Sequence, residues 1–341
     1  MGAIVARAPL RVALGGGGTD LPSYYREHGG FVVSTAIDRH VHIVATTGFQ
    51  RSYRLKHLEW EEVDDPTEVR HPILREALAH HWGGGPIELA SVADAPPGTG
   101  LGSSGAYTVC AIKVLRLLAG RDLSPAELAE EAAHLEIDLL GRSIGKQDQY
   151  AASFGGARAY TFLPDDSVEI RQLDLNDEVR RALRDHFLLF FTGRERSASD
   201  VLAGQVAGDA RVKRALHRLR ELAHETSDAL EAGDLDRFGD LGAKGAQLVP
   251  PLAGRGGFAG GGRLCGSDRL CREDLRCPAR TPLSASRSPR SVSRWRSRTS
   301  CTCRPPPSTG SSATTPGSRA SRTPSTPARR VAAIPIFTRR S

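Results

Sequence analysis

The segment Pro97–Gly105 is glycine-rich and directly precedes a run with helical spacing of apolar residues. Glycines let the backbone come close to a phosphate while its N–H groups point inward. The amino terminus of the following helix adds a positive dipole end. An ordinary glycine turn is the alternative, which the paired serines and the helix disfavour. We predict phosphate binding by Pro97, Gly98, Gly100, Leu101, Gly102, Ser103, Ser104 and Gly105.

Two other nucleotide-binding motifs fit this sequence poorly. The spacing Gly-x-Gly-x-x-Gly at 100–105 also matches the dinucleotide fingerprint. Pro96-Pro97 breaks the tight turn that such a unit needs, and the acidic residue expected about 20 positions on would be Asp122, between two predicted helices. Residues 141–147 resemble a P-loop, but the spacing is one residue short and Gln147 stands where Mg²⁺ needs Ser or Thr. We reject both interpretations.

The elements that would position this loop begin with strands. Alternation predicts a strand over Ile4–Leu14, with Pro9 at an edge or a bulge, and this strand enters four consecutive glycines. Runs rich in β-branched residues predict further strands. These are Phe31–Ile37 and His40–Val44, with hairpin-like spacing, and Ile87–Val92.

Helices and a second lobe follow. Apolar residues at helical spacing predict a helix over Gly102–Ala119. Ser124-Pro-Ala-Glu127 has the form of a capping box and Gly141 supplies a stop, so we predict a second helix over 125–140 with Glu136 in its last turns. A second α+β lobe is predicted from strands Val168–Leu173 and His186–Thr192 and a long helix Ala210–Ala232.

Charge and cysteine are unevenly distributed. The net charge of the 341 residues is +7, but Leu275–Ser341 contains 14 Arg and no acidic residue, which leaves 32 basic against 39 acidic residues in 1–274. An acidic body disfavours a nucleic-acid partner. Five of the six cysteines follow residue 264, so the body has the cysteine content of a reduced protein. With no signal-peptide pattern and no apolar run of about 18 residues, we expect a cytoplasmic protein without a membrane partner.

Four ordered motifs resemble the GHMP kinases, the superfamily of galactokinase and of homoserine, mevalonate and phosphomevalonate kinases. The match covers roughly residues 4–248. Residues 97–104 are similar, position for position, to the phosphate-binding motif of that family, although Gly105 replaces the usual alanine. Four glycines followed by Thr-Asp resemble the D-glycero-D-manno-heptose 7-phosphate kinase branch. The motifs are Arg7–Asp20, Pro97–Ser104, Leu135–Asp138 with Ile144–Gly156, and Phe191–Asp200.

The resemblance, together with the chemistry of phosphoryl transfer, suggests roles for the catalytic residues. Asp148 is the candidate base for the acceptor hydroxyl, and the family pattern implies that Arg11 positions that hydroxyl. Ser104 and Glu136 match positions that hold Mg²⁺ in relatives, and a hydroxyl with one carboxylate is typical of a Mg²⁺ site. A capping or solvated role is the alternative for both. For Arg11 the alternative is a surface arginine on a strand.

The resemblance also implies a sugar site. Gly17, Gly18, Thr19 and Asp20 would face the sugar, where a carboxylate can accept hydrogen bonds from two hydroxyls. An Asx turn that closes the glycine loop is the alternative for Asp20. A phosphate already on the substrate would bind in a pocket formed by Arg194, Arg196 and Ser197. Solvated loop arginines are the alternative there.

The resemblance implies an α+β fold of two domains. We expect a GHMP kinase amino-terminal, ATP-binding domain over 1–165, resembling ribosomal S5 domain 2, and a partial ferredoxin-like carboxy-terminal domain over 166–250. The implied function is ATP- and Mg²⁺-dependent phosphorylation of a heptose 7-phosphate at its anomeric hydroxyl. A galactokinase- or fucokinase-like enzyme and a non-catalytic sugar or nucleotide sensor are the alternatives. Retention of Arg11, Ser104, Glu136 and Asp148 disfavours the sensor. The oligomeric state stays open, a homo-oligomer included.

Residues 251–341 do not continue this pattern. Leu275–Ser341 has ten prolines, many Ser, Thr and Arg, and no sustained apolar period, so it cannot bury a core. The third glycine-rich motif of the family is absent in its expected strand–helix context. We interpret the chain beyond about 245–255 as the product of a shifted reading frame or a mis-called gene end. A basic disordered arm is the alternative.

Overall fold

The computed structural model describes residues 2–187, 189 and 210–248, all within one compact unit. Its seven strands form one mixed sheet in the order β4-β3-β5-β2-β6-β7, with β1 paired to β2. The strands are β1 Ile4–Gly15, β2 Gly30–Thr46, β3 Tyr53–Lys56, β4 Trp60–Val63, β5 Glu88–Ala93, β6 Ala157–Phe162 and β7 Val168–Gln172. The α+β fold class is therefore confirmed.

Eight α-helices are present in the described part of the chain. They are α1 Pro22–His28, α2 Pro72–His81, α3 Ser103–Leu118, α4 Pro125–His134, α5 Gln147–Phe154, α6 Asp177–His186, α7 Ala210–Ala232 and α8 Leu235–Leu248. A 3₁₀ turn covers Pro66–Glu68, and a π-helical segment, Leu135–Leu139, continues α4. Within these described residues, no helix is both long and apolar enough to cross a membrane.

Helices pack on both faces of the sheet. Val32 and Val33 are neighbours on β2 and both are fully buried, but they belong to different cores. Val32 packs with the aromatic side chains of α1, α5 and β6, whereas Val33 packs with α7 and α8. The largest core lies between α2, α3 and α4 and the inward residues of β1, β2 and β5. The strand β2, to which β1 with its residue Arg11 is paired, is thereby held from both sides.

The β1–β2 pair departs from the predicted hairpin. The two predicted strands, Phe31–Ile37 and His40–Val44, are one continuous strand, β2, so the prediction of a hairpin was wrong. The register of β1 against β2 shifts between Pro9 and Arg11, which shows that a bulge interrupts the alternation without ending the strand. Pro9 lies at this bulge on a strand paired only to β2 among the described strands, as predicted.

The predicted helices are confirmed, one of them with an altered end. Ser124 and Glu127 form the reciprocal capping box that starts α4. The helix then widens, because Leu140 N–H donates to Leu135 C=O five residues back. Of the elements predicted for a second lobe, β7 and α7 occupy the predicted positions, but β7 pairs with β6 in the same sheet as the other strands. The first residue of the predicted strand His186–Thr192 is instead the last residue of α6. Most of the other residues of this strand lie outside the described residues.

Candidate active site

Three alternate positions of the predicted phosphate-binding segment 97–105, called the phosphate loop below, favour glycine. Gly98, Gly100 and Gly102 have φ of 73°, 75° and 73°, a region that side chains rarely adopt. Gly102 is also the N-cap of α3 and provides no side-chain cap. The N–H groups in the first turn of a helix lack partners within the helix, and here no capping side chain takes them. The loop and the start of α3 therefore form a backbone site suited to an anion.

This loop is fixed to β1 by one residue. Arg11 N–H donates to Leu101 C=O at 3.0 Å, and its Nη1 donates to Gly100 C=O at 2.5 Å. The backbone bond sets the distance between strand and loop, and the charged bond orients the glycine carbonyl. Arg11 is thus part of the site, and the alternative of a solvated surface arginine is excluded by its side-chain exposure of only 14%.

Arg11 also pairs with the predicted base. Its Nε donates to Asp148 Oδ1 at 2.7 Å, and Nη2 contacts the same oxygen. Asp148 lies in the first turn of α5 and its side chain is 26% exposed, so one edge of the carboxylate reaches solvent. No described residue donates a hydrogen bond to Oδ2. The arrangement leaves one oxygen of an oriented carboxylate for an external hydroxyl.

Glycine at position 105 allows α3 and α5 to touch. A Cβ at Gly105 would lie 2.7 Å from Asp148 Cβ and 2.9 Å from its carbonyl carbon, distances that real Cβ atoms do not adopt. A Cβ at Gly102 would lie 3.1 Å from Arg11 Cγ. Gly105 therefore places Asp148 directly against the phosphate loop, which gives a reason for glycine where the resembled motif has alanine.

Glu136 is fully buried and has three side-chain partners. Ser104 Oγ donates to Glu136 Oε1, Arg142 Nη1 donates to the same oxygen at 2.7 Å, and Gln149 Nε2 donates to Oε2 at 2.8 Å. Burial raises the pKa of Glu136, while the Ser104 hydrogen bond and the Arg142 charge oppose that rise. The π-helical segment that begins at Leu135 carries Glu136 at the end of α4. Such segments often occur at functional sites.

The pair Ser104 and Glu136 fits a small divalent cation. Arg142 Nη1 lies 2.8 Å from Ser104 Oγ and 2.7 Å from Glu136 Oε1, so a single cationic group reaches both oxygens. A hydroxyl and a carboxylate are hard oxygen ligands of the kind that Mg²⁺ prefers, with water and nucleotide phosphate completing its shell. The capping and solvated alternatives do not apply to a carboxylate with no solvent exposure.

Thr19 and Asp20 hold the first glycine loop together. Thr19 is fully buried, and its hydroxyl donates to Gly16 C=O at 2.8 Å or Phe31 C=O at 3.0 Å and accepts from Phe31 N–H. The backbone of the glycine loop and of Phe31 therefore takes up both the donor and the acceptor of this hydroxyl, and a contact of Thr19 with a sugar stays a prediction. Thr19 links the loop to β2.

Asp20 is also held by backbone groups. Oδ1 accepts from Gly18 N–H at 3.0 Å, and Oδ2 accepts from Gln147 N–H at 3.1 Å at the start of α5. Burial raises the pKa of Asp20, and the nearby Asp148 charge adds to the rise. Asp20 thus closes the glycine loop, as the Asx-turn alternative has it, and it also links this loop to the amino terminus of α5. Gly17 is open, because a Cβ added there would have no atom within 4 Å.

The predicted phosphate pocket is outside the described region. Arg194, Arg196 and Ser197 lie within 190–209, which the structure does not describe. Their role stays a prediction.

Sequence reasoning missed Arg142 and Gln149 as site residues. Arg142 lies in the segment weighed only as a P-loop, and Gln149 lies one residue after Asp148. A signal for Arg142 was present. Gly141, with φ of 62°, reverses the chain after the helix, so a cation six residues after Glu136 can return to it.

Comparisons with known proteins match this chain to sugar kinases. Residues 71–156 match the GHMP kinases N terminal domain family, a range that contains the phosphate loop, Glu136 and Asp148. The D-glycero-alpha-D-manno-heptose 7-phosphate kinase of Campylobacter jejuni is 28% identical over 71% of this chain and 74% of its own length. The Pyrococcus furiosus galactokinase is 26% identical over 72% of this chain and 67% of its own. A bifunctional fucokinase/GDP-fucose pyrophosphorylase of Arabidopsis thaliana is 24% identical over 72% of this chain but only 26% of its own.

Solved structures show the same fold. A D-glycero-D-manno-heptose 1-phosphate kinase from Bacteroides thetaiotaomicron has a TM-score of 0.61 at 24% identity, over 72% of this chain and 78% of its own. Lactococcus lactis galactokinase, complexed with galactose, has a TM-score of 0.54 at 20% identity, over 72% of this chain and 74% of its own. These similarities establish the fold.

Proposed function

We propose, because residues 71–156 match the GHMP kinase amino-terminal domain and the relatives that match this chain are sugar kinases, that it transfers the γ-phosphoryl group of ATP to the anomeric hydroxyl of a heptose 7-phosphate. The observation that carries the proposal is the contact of Arg11 and Asp148 at the phosphate loop, with Nε and Oδ1 2.7 Å apart. A base, a cation and an anion-binding backbone thus converge on one place. Phosphoryl transfer needs little more than positioning and charge stabilisation.

Each group has a distinct task in this proposal. The backbone of 98–105 binds the ATP phosphates, and Asp148 Oδ2 accepts the hydrogen bond and then the proton of the sugar hydroxyl. Arg11 holds Asp148 in place and stabilises negative charge that develops on the transferred group. Ser104 and Glu136 would hold Mg²⁺, which neutralises phosphate charge when bound.

The choice of sugar rests on similarity. The Campylobacter jejuni relative is named for heptose 7-phosphate, and the four-glycine loop followed by Thr-Asp resembles that branch. Galactose and fucose are second candidates, since relatives named for them also match. An anionic sugar would suit Arg194 and Arg196, whose pocket is part of the proposal. Cys110, the only cysteine among the described residues, is buried and free, which fits the cytoplasmic location that we propose.

An ADP-release screen over sugars and sugar phosphates tests the proposal. We would assay the 341-residue chain and a chimera in which residues after 248 are replaced by the carboxy-terminal lobe of the Campylobacter jejuni relative. We expect release by the chimera with heptose 7-phosphate, and a new anomeric phosphate signal in the ³¹P spectrum. ADP release with only galactose or only fucose would show that this sugar, and not heptose 7-phosphate, is the substrate. Nucleotide binding without release on any sugar would favour the non-catalytic alternative.

A further inference from the structure

Arg142 occupies the position that a divalent cation would take. Its Nη1 contacts Ser104 Oγ and Glu136 Oε1, the two oxygens that fit Mg²⁺, at 2.8 and 2.7 Å. Glu136 has no solvent exposure, whereas the Arg142 side chain is 26% exposed. The carboxylate therefore comes from the core and the guanidinium from the solvent side. The two oxygens are also in direct contact with each other.

A metal ion and this guanidinium cannot share the pair of oxygens. Two positive groups about 3 Å apart repel strongly, more so beside a buried carboxylate than in water. Leaving a buried carboxylate without a cation also costs stability, because an unpaired buried charge is strongly destabilising. The favourable states are therefore those with one cation at the two oxygens, either the guanidinium or the metal.

Arg142 is free to leave this position. It lies in the segment 141–145, which has no regular secondary structure, next to Gly141 with φ of 62°. No described residue accepts a hydrogen bond from its Nε or Nη2. The side chain can therefore turn to solvent by rotating, while the bond from Arg142 N–H to Glu136 C=O at 3.1 Å keeps its backbone in place.

We propose that Arg142 is a resident cation that alternates with the divalent metal at Ser104 and Glu136. Without nucleotide, Arg142 neutralises Glu136 and keeps metal affinity low. When the metal arrives with ATP, whose phosphates complete its ligand shell, Arg142 withdraws toward the phosphate side, where a guanidinium has anionic partners. The inference rests on the metal site of the proposed function.

Manganese binding to the nucleotide-free full chain tests this directly. Mn²⁺ is the probe, and its binding is followed by electron paramagnetic resonance, with the melting temperature measured in EDTA and in Mn²⁺. Arg142→Gln should bind Mn²⁺ about tenfold tighter or more, since like-charge contacts cost several kcal/mol. It should also melt lower than the parent in EDTA and recover that loss in Mn²⁺.

Two matched variants separate this effect from general damage. Arg116 makes a similar half-buried pair with Glu131, at 3.1 Å through both Nε and Nη2, outside the site. Arg116→Gln should lower the melting temperature without recovery in Mn²⁺. The double variant Arg142→Gln with Glu136→Gln should lose the added Mn²⁺ affinity. Mn²⁺ that the double variant still binds is held elsewhere, for example by the cluster His40, His42 and Asp94, and this amount is subtracted from the binding of the single variant.

The proposal is overturned if Arg142→Gln binds Mn²⁺ no tighter than the parent, or if Mn²⁺ does not restore its stability. Should Arg142→Gln fail to fold, Arg142→Lys is the second variant, because lysine keeps the positive charge on a shorter side chain. That variant should fold and bind Mn²⁺ more tightly than the parent, and unchanged affinity there would equally reject alternation. No sugar or ATP enters these measurements. A wrong sugar substrate would therefore leave their outcome unaffected.

Discussion

Asp148 and Arg11 are 137 positions apart in sequence, yet Arg11 Nε donates to Asp148 Oδ1 at 2.7 Å. The pair joins β1 to the first turn of α5 beside the phosphate loop. Because both guanidinium contacts go to Oδ1, the carboxylate is fixed in rotation and Oδ2 is directed elsewhere. This geometry is what a base needs to receive a hydroxyl at a bound phosphate.

Asp148→Asn should abolish phosphoryl transfer while leaving ATP binding largely intact. An amide cannot accept the proton, and the removed group orients the acceptor without holding nucleotide, so we expect kcat to fall about 10²–10⁴-fold. The change is made in the chimera described above, because we expect turnover only with a complete family carboxy terminus. ADP release and calorimetric ATP titration are compared. Near-normal turnover would show that another group is the base.

Gly105→Ala should destabilise the protein, although alanine is the better helix former. The added methyl would lie 2.7 Å from Asp148 Cβ, so α3 and α5 must separate. Overpacking costs about 1–3 kcal/mol, against a gain of up to about 1 kcal/mol in helix propensity. Denaturant unfolding gives the difference.

Gly242→Ala is the matched control. Gly242 lies in α8 with no atom within 4 Å of a Cβ position, so the same change should stabilise there. Equal effects at both positions would mean that the α3–α5 contact is not tight. A lowered kcat in Gly105→Ala would further indicate that the spacing of Asp148 from the loop matters.

Gly100→Val should weaken ATP binding more than sugar binding. Gly100 has φ of 75°, which valine cannot adopt without strain, and a side chain there blocks the approach of a phosphate to the backbone. Gly102→Val should do the same but should also displace Arg11, whose Cγ is 3.1 Å from the Cβ position. Separate titrations with ATP and with sugar measure the two affinities. Parallel losses of both would indicate misfolding.

Local rules predicted the local features of this fold. The glycine loop, the capping box at Ser124 and the start of α3 depend on neighbours in sequence, and each was found where expected. The continuous β2 was not predictable, because its bulge opposite Pro9 is decided by pairing with β1. Likewise, the burial of the Thr19 hydroxyl against Phe31 depends on a strand twelve residues away.

His71 should make stability depend on pH. The pKa of His71 is lowered to about 4, chiefly by burial and also by the His57 and Arg142 charges, while the Glu61 charge opposes the shift. Its Nδ1 accepts the Leu74 N–H at 3.3 Å, which requires an unprotonated nitrogen. The unfolded chain therefore binds more protons between about pH 4 and 6.5, so stability should fall as pH falls through this window.

His71→Asn tests the origin of this slope. Asparagine is a good N-cap and has no titration, so α2 should keep its cap while the slope between pH 4 and 6.5 becomes shallower. Urea unfolding at several pH values gives the comparison. The same slope in both proteins would assign it to other groups.

The carboxy-terminal segment has the composition of a coding sequence read out of register. Residues beyond about 245–255 lie almost entirely outside the described residues, and their composition differs from that of the body. The body prefers Arg and Ala to Lys, which indicates GC-rich codons, and such codons out of register yield Arg, Pro, Ser, Thr, Ala, Gly and Cys. Leu275–Ser341 is dominated by these residues. A basic arm that binds nucleic acid would account for its 14 arginines but not for five cysteines after residue 264.

Sequencing the underlying DNA decides between the two. We expect an alternative frame, entered near codon 250, that encodes alternating apolar and charged residues and a glycine-rich motif. Joined to residues 1–248, that frame should give a more stable protein than the 341-residue chain, because an incomplete lobe leaves apolar edges exposed. Thermal unfolding and ADP release of the two proteins provide the comparison. If no such frame exists and the 341-residue chain is a stable, active kinase, the carboxy-terminal segment is genuine and the basic-arm alternative replaces the shifted frame.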